Sequence, residues 1–79
     1  MQKPSLCRVV IMKVDPLINN GSDEAPAVIT RVWSDTMINV RVLLDGSDAT
    51  PALTSVSLLD EKPDAGDIRS RVAWWPPRV

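Results

Sequence analysis

The chain contains no histidine, no phenylalanine and no tyrosine, one cysteine, and three glycines in 79 residues. Each shortage closes a class of function. Without imidazole, the commonest general base and the commonest transition-metal ligand are missing. One cysteine supports neither an intrachain disulfide framework nor a cysteine-rich zinc site. The isolated glycines, Gly21, Gly46 and Gly66, make no phosphate-cradling loop. No apolar run approaches the roughly 18 residues of a membrane span. Met1-Gln2-Lys3-Pro4 lacks the apolar stretch and cleavage site of a secretory signal. Neither sign of charge is in excess, since nine Lys and Arg stand against ten Asp and Glu. A net charge of −1 argues against binding to polymeric nucleic acid, where affinity scales with the phosphates neutralised. The expectation is one small non-enzymatic domain over 1–79, with no cofactor, no metal and no membrane partner.

What is present reads as strand. Valine leads the apolar residues, with isoleucine and leucine behind it, and branched Cβ atoms favour the pleated conformation. Proline, glycine and aspartate cut the apolar stretches into short runs. The first is Cys7 to Val14, stopped by Asp15-Pro16. After a long polar connection, the second runs from Ala27 to Trp33 and the third from Met37 to Leu44, ending at the turn pair Asp45-Gly46. The fourth covers Leu53 to Leu59, and the last, Arg71 to Trp75, is closed by Pro76-Pro77. Five strands and no helix are expected. A sheet this short must curl to enclose a core, so the fold class is all-β, a five-stranded SH3-like barrel, with an open antiparallel meander as the alternative. A barrel of this size buries only about 60% of its unfolded surface, and self-association into a homo-oligomer is an ordinary remedy.

The second and third runs suggest a hairpin through Ser34-Asp35-Thr36. In that register Trp33 faces Met37, Arg31 faces Asn39 and Ile29 faces Arg41 on an outer, mixed face. Val28 with Val42, Thr30 with Val40, and Val32 with Ile38 then form the core face.

Enzymatic chemistry finds no constellation. Cys7 has no base to activate it and stands at the head of an apolar run, where a free cysteine is a small hydrophobe. The carboxylates fall in loops and strand ends, where aspartate makes turns. Asp45-Gly46-Ser47-Asp48 lacks the downstream glutamate of a calcium loop, and Asn20-Gly21-Ser22 is read as a turn.

The binding reading rests on tryptophans and arginines. Trp74 and Trp75 are adjacent on a strand, so their rings point to opposite sides; one fills the core and the other requires a partner. Trp33 stands on the outer face of the hairpin with Arg31, Asn39 and Arg41, and Arg69, Arg71 and Arg78 flank the tryptophan pair. Such tryptophans cover a barrel end or seal a subunit contact. Alternatively they stack on a planar ligand whose charge the arginines meet, or they anchor a protein partner. The candidate ligand-binding residues are therefore Arg31, Trp33, Asn39, Arg41, Arg71, Trp74 and Trp75.

The stretch Ala25 to Asp35, then Ile38 to Val42, Asp45-Gly46, Thr54-Ser55-Val56 and the ending Trp74-Trp75-Pro76-Pro77-Arg78-Val79 resembles a group of small proteins encoded by tailed phages and prophages. That group shares Pro-Ala followed by Val-Trp, then Asp-Gly, Ser-Val and a Trp-Pro-x-Arg ending. This chain departs from the group's Gly-Thr-Trp-His-Trp-Pro ending, carrying Arg71-Val72-Ala73-Trp74-Trp75-Pro76 instead. The resemblance implies a phage accessory protein working in the bacterial host cytoplasm. By analogy with phage counter-defence proteins as a class, it would act by occupancy. It would sequester a small anionic nucleotide such as an immune signal, or bind and inhibit a host protein. A minor structural or morphogenesis role in the phage particle is a third expectation.

Overall fold

Branched residues dictate five strands, and the computed structural model, which describes residues 3–46, 48–63 and 72–77, contains them. They are β1 (Val9–Lys13), β2 (Glu24–Ser34), β3 (Met37–Val42), β4 (Ala52–Leu59) and β5 (Val72–Trp74). A single turn of 3-10 helix, Pro16–Ile18, interrupts the β1–β2 connection. Asp15 caps it by accepting from Leu17 N at 2.9 Å, and the ring of Pro16 presets the backbone angle at the first position. No helix among the described residues is long and apolar enough to cross a membrane.

Consecutive strands pair antiparallel from β1 to β4, and β5 closes the circle. It lies antiparallel to β1 through Ile11↔Trp74 and Met12↔Ala73, and parallel to β4 through Leu58↔Ala73. The chain is therefore an all-β closed barrel of the small SH3-like type, and the open meander is excluded. Closure removes the sheet edges that a meander would leave unpaired.

The interior is small and aliphatic. Val10 and Met12 of β1, Ala25, Ala27 and Ile29 of β2, Ile38, Val40 and Val42 of β3, and Val56 and Leu58 of β4 are all buried, with Ala73 and Trp75 filling the β5 side. Alternation along β3 is as the sequence predicts, with Asn39 and Arg41 facing out.

Along β2 the predicted faces are corrected at Val28, Ile29 and Thr30. Arg31↔Asn39 and Val32↔Ile38 pair as expected, but a bulge at Thr30 shifts the register before it, giving Ile29↔Val40 and Val28↔Arg41. An extra residue in one strand reverses every side chain beyond it. Ile29 is consequently core, Val28 lies opposite Arg41 and is only half-buried, and Thr30 is exposed. A second irregularity sets Ser34, not Trp33, opposite Met37. Val32 is also more exposed than its partner Ile38.

Two further expectations change. Strand β1 starts at Val9, leaving Cys7 exposed in a turn with φ of 70°, so it is not a buried hydrophobe. Both Trp74 and Trp75 are buried, at 2% and 4% exposure, so neither waits for a partner.

Candidate binding face on the β2–β3 hairpin

The Thr30 bulge restores the predicted orientation for the outer half of β2, so Arg31 and Trp33 project on one side, two residues apart. Asn39, directly opposite Arg31 on β3, joins them. The sequence expected these three on one face, and they are in contact. The Arg31 guanidinium lies over the Trp33 ring, with Cζ 4.1 Å from the centroid. This cation–π pair covers one indole face while Trp33 stays 54% exposed.

Asn39 fixes the ring from its other end. Its Oδ1 accepts from Trp33 Nε1 at 2.8 Å and from Ser55 N at 2.9 Å. Ser55 sits in a bulge of β4, where the register shifts between Ile38↔Val56 and Val40↔Leu53, and its φ of 55° is left-handed. That conformation is uncommon for a residue with a Cβ and is held by the surrounding ladder. One amide oxygen thus joins the β4 bulge to an outward indole on β2. The sequence offers Asn39 as a ligand contact, and its oxygen is committed to Trp33 Nε1 and Ser55 N. Ser55 was not singled out, because a bulge in a Thr-Ser-Val run leaves no compositional trace.

Arg41 projects from the same face, two positions along β3, and donates from Nη1 to Thr50 O at 3.2 Å in the β3–β4 connection. The other predicted residues do not assemble here. Trp75 belongs to the inner cluster, and Trp74 lies between Ile11 and Leu59 in the ladder, outside that cluster and inaccessible to a ligand. The Arg8 guanidinium lies 5.0 Å from the Trp75 ring centroid, while Trp75 Nε1 is buried with no acceptor among the described residues. Arg71 lies outside the described residues, as do Arg69 and Arg78.

Charge is distributed unevenly. Around the start of β2, Lys13 pairs with Asp23 at 3.0 Å and Lys62 pairs with Glu24. The hydrogen bond and charge of Lys13 hold the Asp23 carboxyl below its ordinary 3.8, and Glu24 raises Lys62 above 10.5 in the same way. On the hairpin face, neither Arg31 nor Arg41 has an ion-pair partner among the described residues. No group of three or more metal-ligating side chains occurs among the described residues.

No protein-family model, curated protein or solved structure matches this chain.

Proposed function

We propose that this chain is a non-enzymatic binding module, a phage accessory protein of the counter-defence type, which acts by occupying a protein partner through Trp33. The observation that carries this reading is the half-exposed indole, held at its N–H by Asn39 and at its face by Arg31. Tryptophan and arginine dominate interface energetics because they bring large contact area together with directional polar groups. A ring fixed before binding also loses little rotamer entropy on association. The phage setting comes from the sequence resemblance, and a host protein or a virion subunit is the corresponding partner.

A second reading, sequestration of a small anionic nucleotide, is supported by Arg31 and Arg41 beside one open indole face. Against it, these residues lie on the outside of a barrel strand pair, whereas small-ligand sites enclose most of the ligand surface.

The test is a comparison of wild type with Trp33→Ala. The variant should unfold within about 1 kcal/mol of wild type, because the ring it loses is half exposed. Immobilised wild type should retain a stoichiometric host or virion protein that Trp33→Ala fails to retain. Equal capture by both would refute a Trp33 anchor, and calorimetric binding of a nucleotide panel by wild type alone would transfer the function to the second reading.

A further inference from the structure

We infer that the segment received by the hairpin face is acidic: an extended polypeptide that sets carboxylates against Arg31, Asn39 Nδ2 and Arg41 and lays an apolar or aromatic side chain on Trp33. This rests on the protein-binding reading above and names the chemistry of its partner.

The orientation of the Asn39 amide is the first step. Trp33 Nε1 and Ser55 N are both donors, and neither can satisfy an amide nitrogen. Oδ1 must face them, which turns the Nδ2 group and its two donors away. Among the described residues, Arg31 engages only the indole ring and Arg41 commits only Nη1, to Thr50 O, so their remaining N–H groups have no described acceptor. The polar side chains that Arg31, Asn39 and Arg41 offer to a partner are therefore donors without exception, and two of the three are cations.

Among the described residues, carboxylates other than Asp35 are placed elsewhere. Asp15 and Asp23 lie in the β1–β2 connection, Glu24 opens β2, Asp45 and Asp48 lie between β3 and β4, and Asp60 and Glu61 follow β4. Asp35, in the hairpin turn, forms no ion pair with either arginine. A neutral apolar partner would strip water from two cations and an amide without replacing their acceptors, and a basic one would be repelled. An acidic partner supplies acceptors and opposite charge at once, with charge-assisted bonds that are stronger than neutral ones.

Spacing favours an extended chain. Asn39 and Arg41 are two residues apart on β3, about 7 Å along the strand. Alternate side chains of an extended peptide repeat at the same interval, so carboxylates two residues apart reach both ends of the patch.

Selection of a displayed library of 12-residue random peptides against the full chain tests this. Asn39→Asp is the diagnostic variant, since a carboxylate still accepts from Trp33 Nε1 and Ser55 N but replaces the outward donors with negative charge. Selected peptides should be rich in Asp and Glu spaced two apart beside an apolar residue. A synthetic representative should bind Asn39→Asp and Arg31→Glu at least tenfold more weakly than wild type, with thermal midpoints of the variants within a few degrees of wild type. Peptides that need Trp33 yet show no acidic enrichment, or that bind Asn39→Asp as tightly as wild type, would overturn the acidic assignment while leaving the Trp33 site. Peptides unaffected by Trp33→Ala would overturn both. Displacement of a selected peptide by ATP at a Trp33-dependent site, with no acidic enrichment, would replace the acidic segment with a nucleotide.

Discussion

Two asparagines organise this barrel, and their environments separate two uses of one side chain. Asn19 is buried at 1% exposure. Its Nδ2 donates to Ser22 O and Glu24 O, at 3.0 and 2.9 Å, while its Oδ1 accepts from Asp45 N at 2.6 Å. It thereby ties the β1–β2 connection to the turn after β3. Asn39 is half-buried and ties a bulge to an exposed ring. Replacing Asn19 by alanine removes the side-chain partner of Ser22 O and Asp45 N, while Glu24 O keeps its bond from the Ser22 hydroxyl, at about 1–3 kcal/mol for each group left buried and unpaired. We expect Asn19→Ala to lower unfolding stability by at least about 2 kcal/mol in urea titration, and a change below 0.5 kcal/mol would contradict its structural role. Arg31, Trp33 and Asn39 were legible as one face because strand alternation needs only residue spacing. Asn19 was not, since Asn19-Asn20-Gly21 has the composition of any polar turn and its burial depends on Asp45, distant in sequence. The tryptophan pair misled for a related reason. Trp75 joins the core beside Ala73, but nothing local to the sequence indicates that Trp74 is buried as well.

At the scale of elements, β2 is where pattern and structure part. Period-2 reading runs unbroken through Ala27 to Trp33 and so assigns Val28, Thr30 and Val32 to the core. A bulge adds one residue without changing composition, and the apolar residues on either side of Thr30 satisfy both registers until β1 and β3 choose between them. The observed choice buries Ala27 and Ile29 and opposes Val28 to Arg41. Strand boundaries elsewhere were read to within one or two residues at most ends, because Asp15-Pro16, Asp45-Gly46 and Pro76-Pro77 are strong breakers. Strand β2 starts three residues before the expected Ala27, since in the sequence Pro26 closes the long polar connection. It lies within the strand, and its carbonyl accepts from Leu43 N at 2.9 Å. Paired substitutions test the bulge directly. Ile29→Asp should abolish cooperative folding, because it places an unpaired charge in an apolar interior, whereas Thr30→Asp should keep the thermal transition. The unbroken register would give the opposite order.

For the whole molecule, the barrel was the most legible level: strand count, loop positions and chain length leave few ways to enclose a core of this size. The proposed function was less legible, because it rests on which hydrogen bonds orient Trp33 and which arginines lack carboxylates among the described residues. The distribution of charge also sets the pH response. Asp23 is depressed in the folded state, so its contribution is present above its ordinary 3.8 and is lost as pH falls through the lower folded value. Lys62 is raised, so its contribution holds below its ordinary 10.5 and is lost as pH rises through the higher folded value. Both pairs are solvent-exposed and weak. Chemical denaturation should therefore give a nearly flat stability profile between about pH 5 and 9, with small declines below pH 4 and above pH 10. A steep transition near neutrality would contradict that distribution.

The central claim is that Trp33 is a preformed anchor, and its indole N–H reports on it. Heteronuclear NMR resolves the three tryptophan indoles separately. The Trp33 signal should exchange with water more slowly than that of an unfolded chain despite the exposed ring, should lose this protection in Asn39→Ala, and should shift when an acidic peptide is added while Trp74 and Trp75 stay in place. Free exchange of the Trp33 indole in the wild type, or peptide-induced shifts confined to Trp74 and Trp75, would contradict the account.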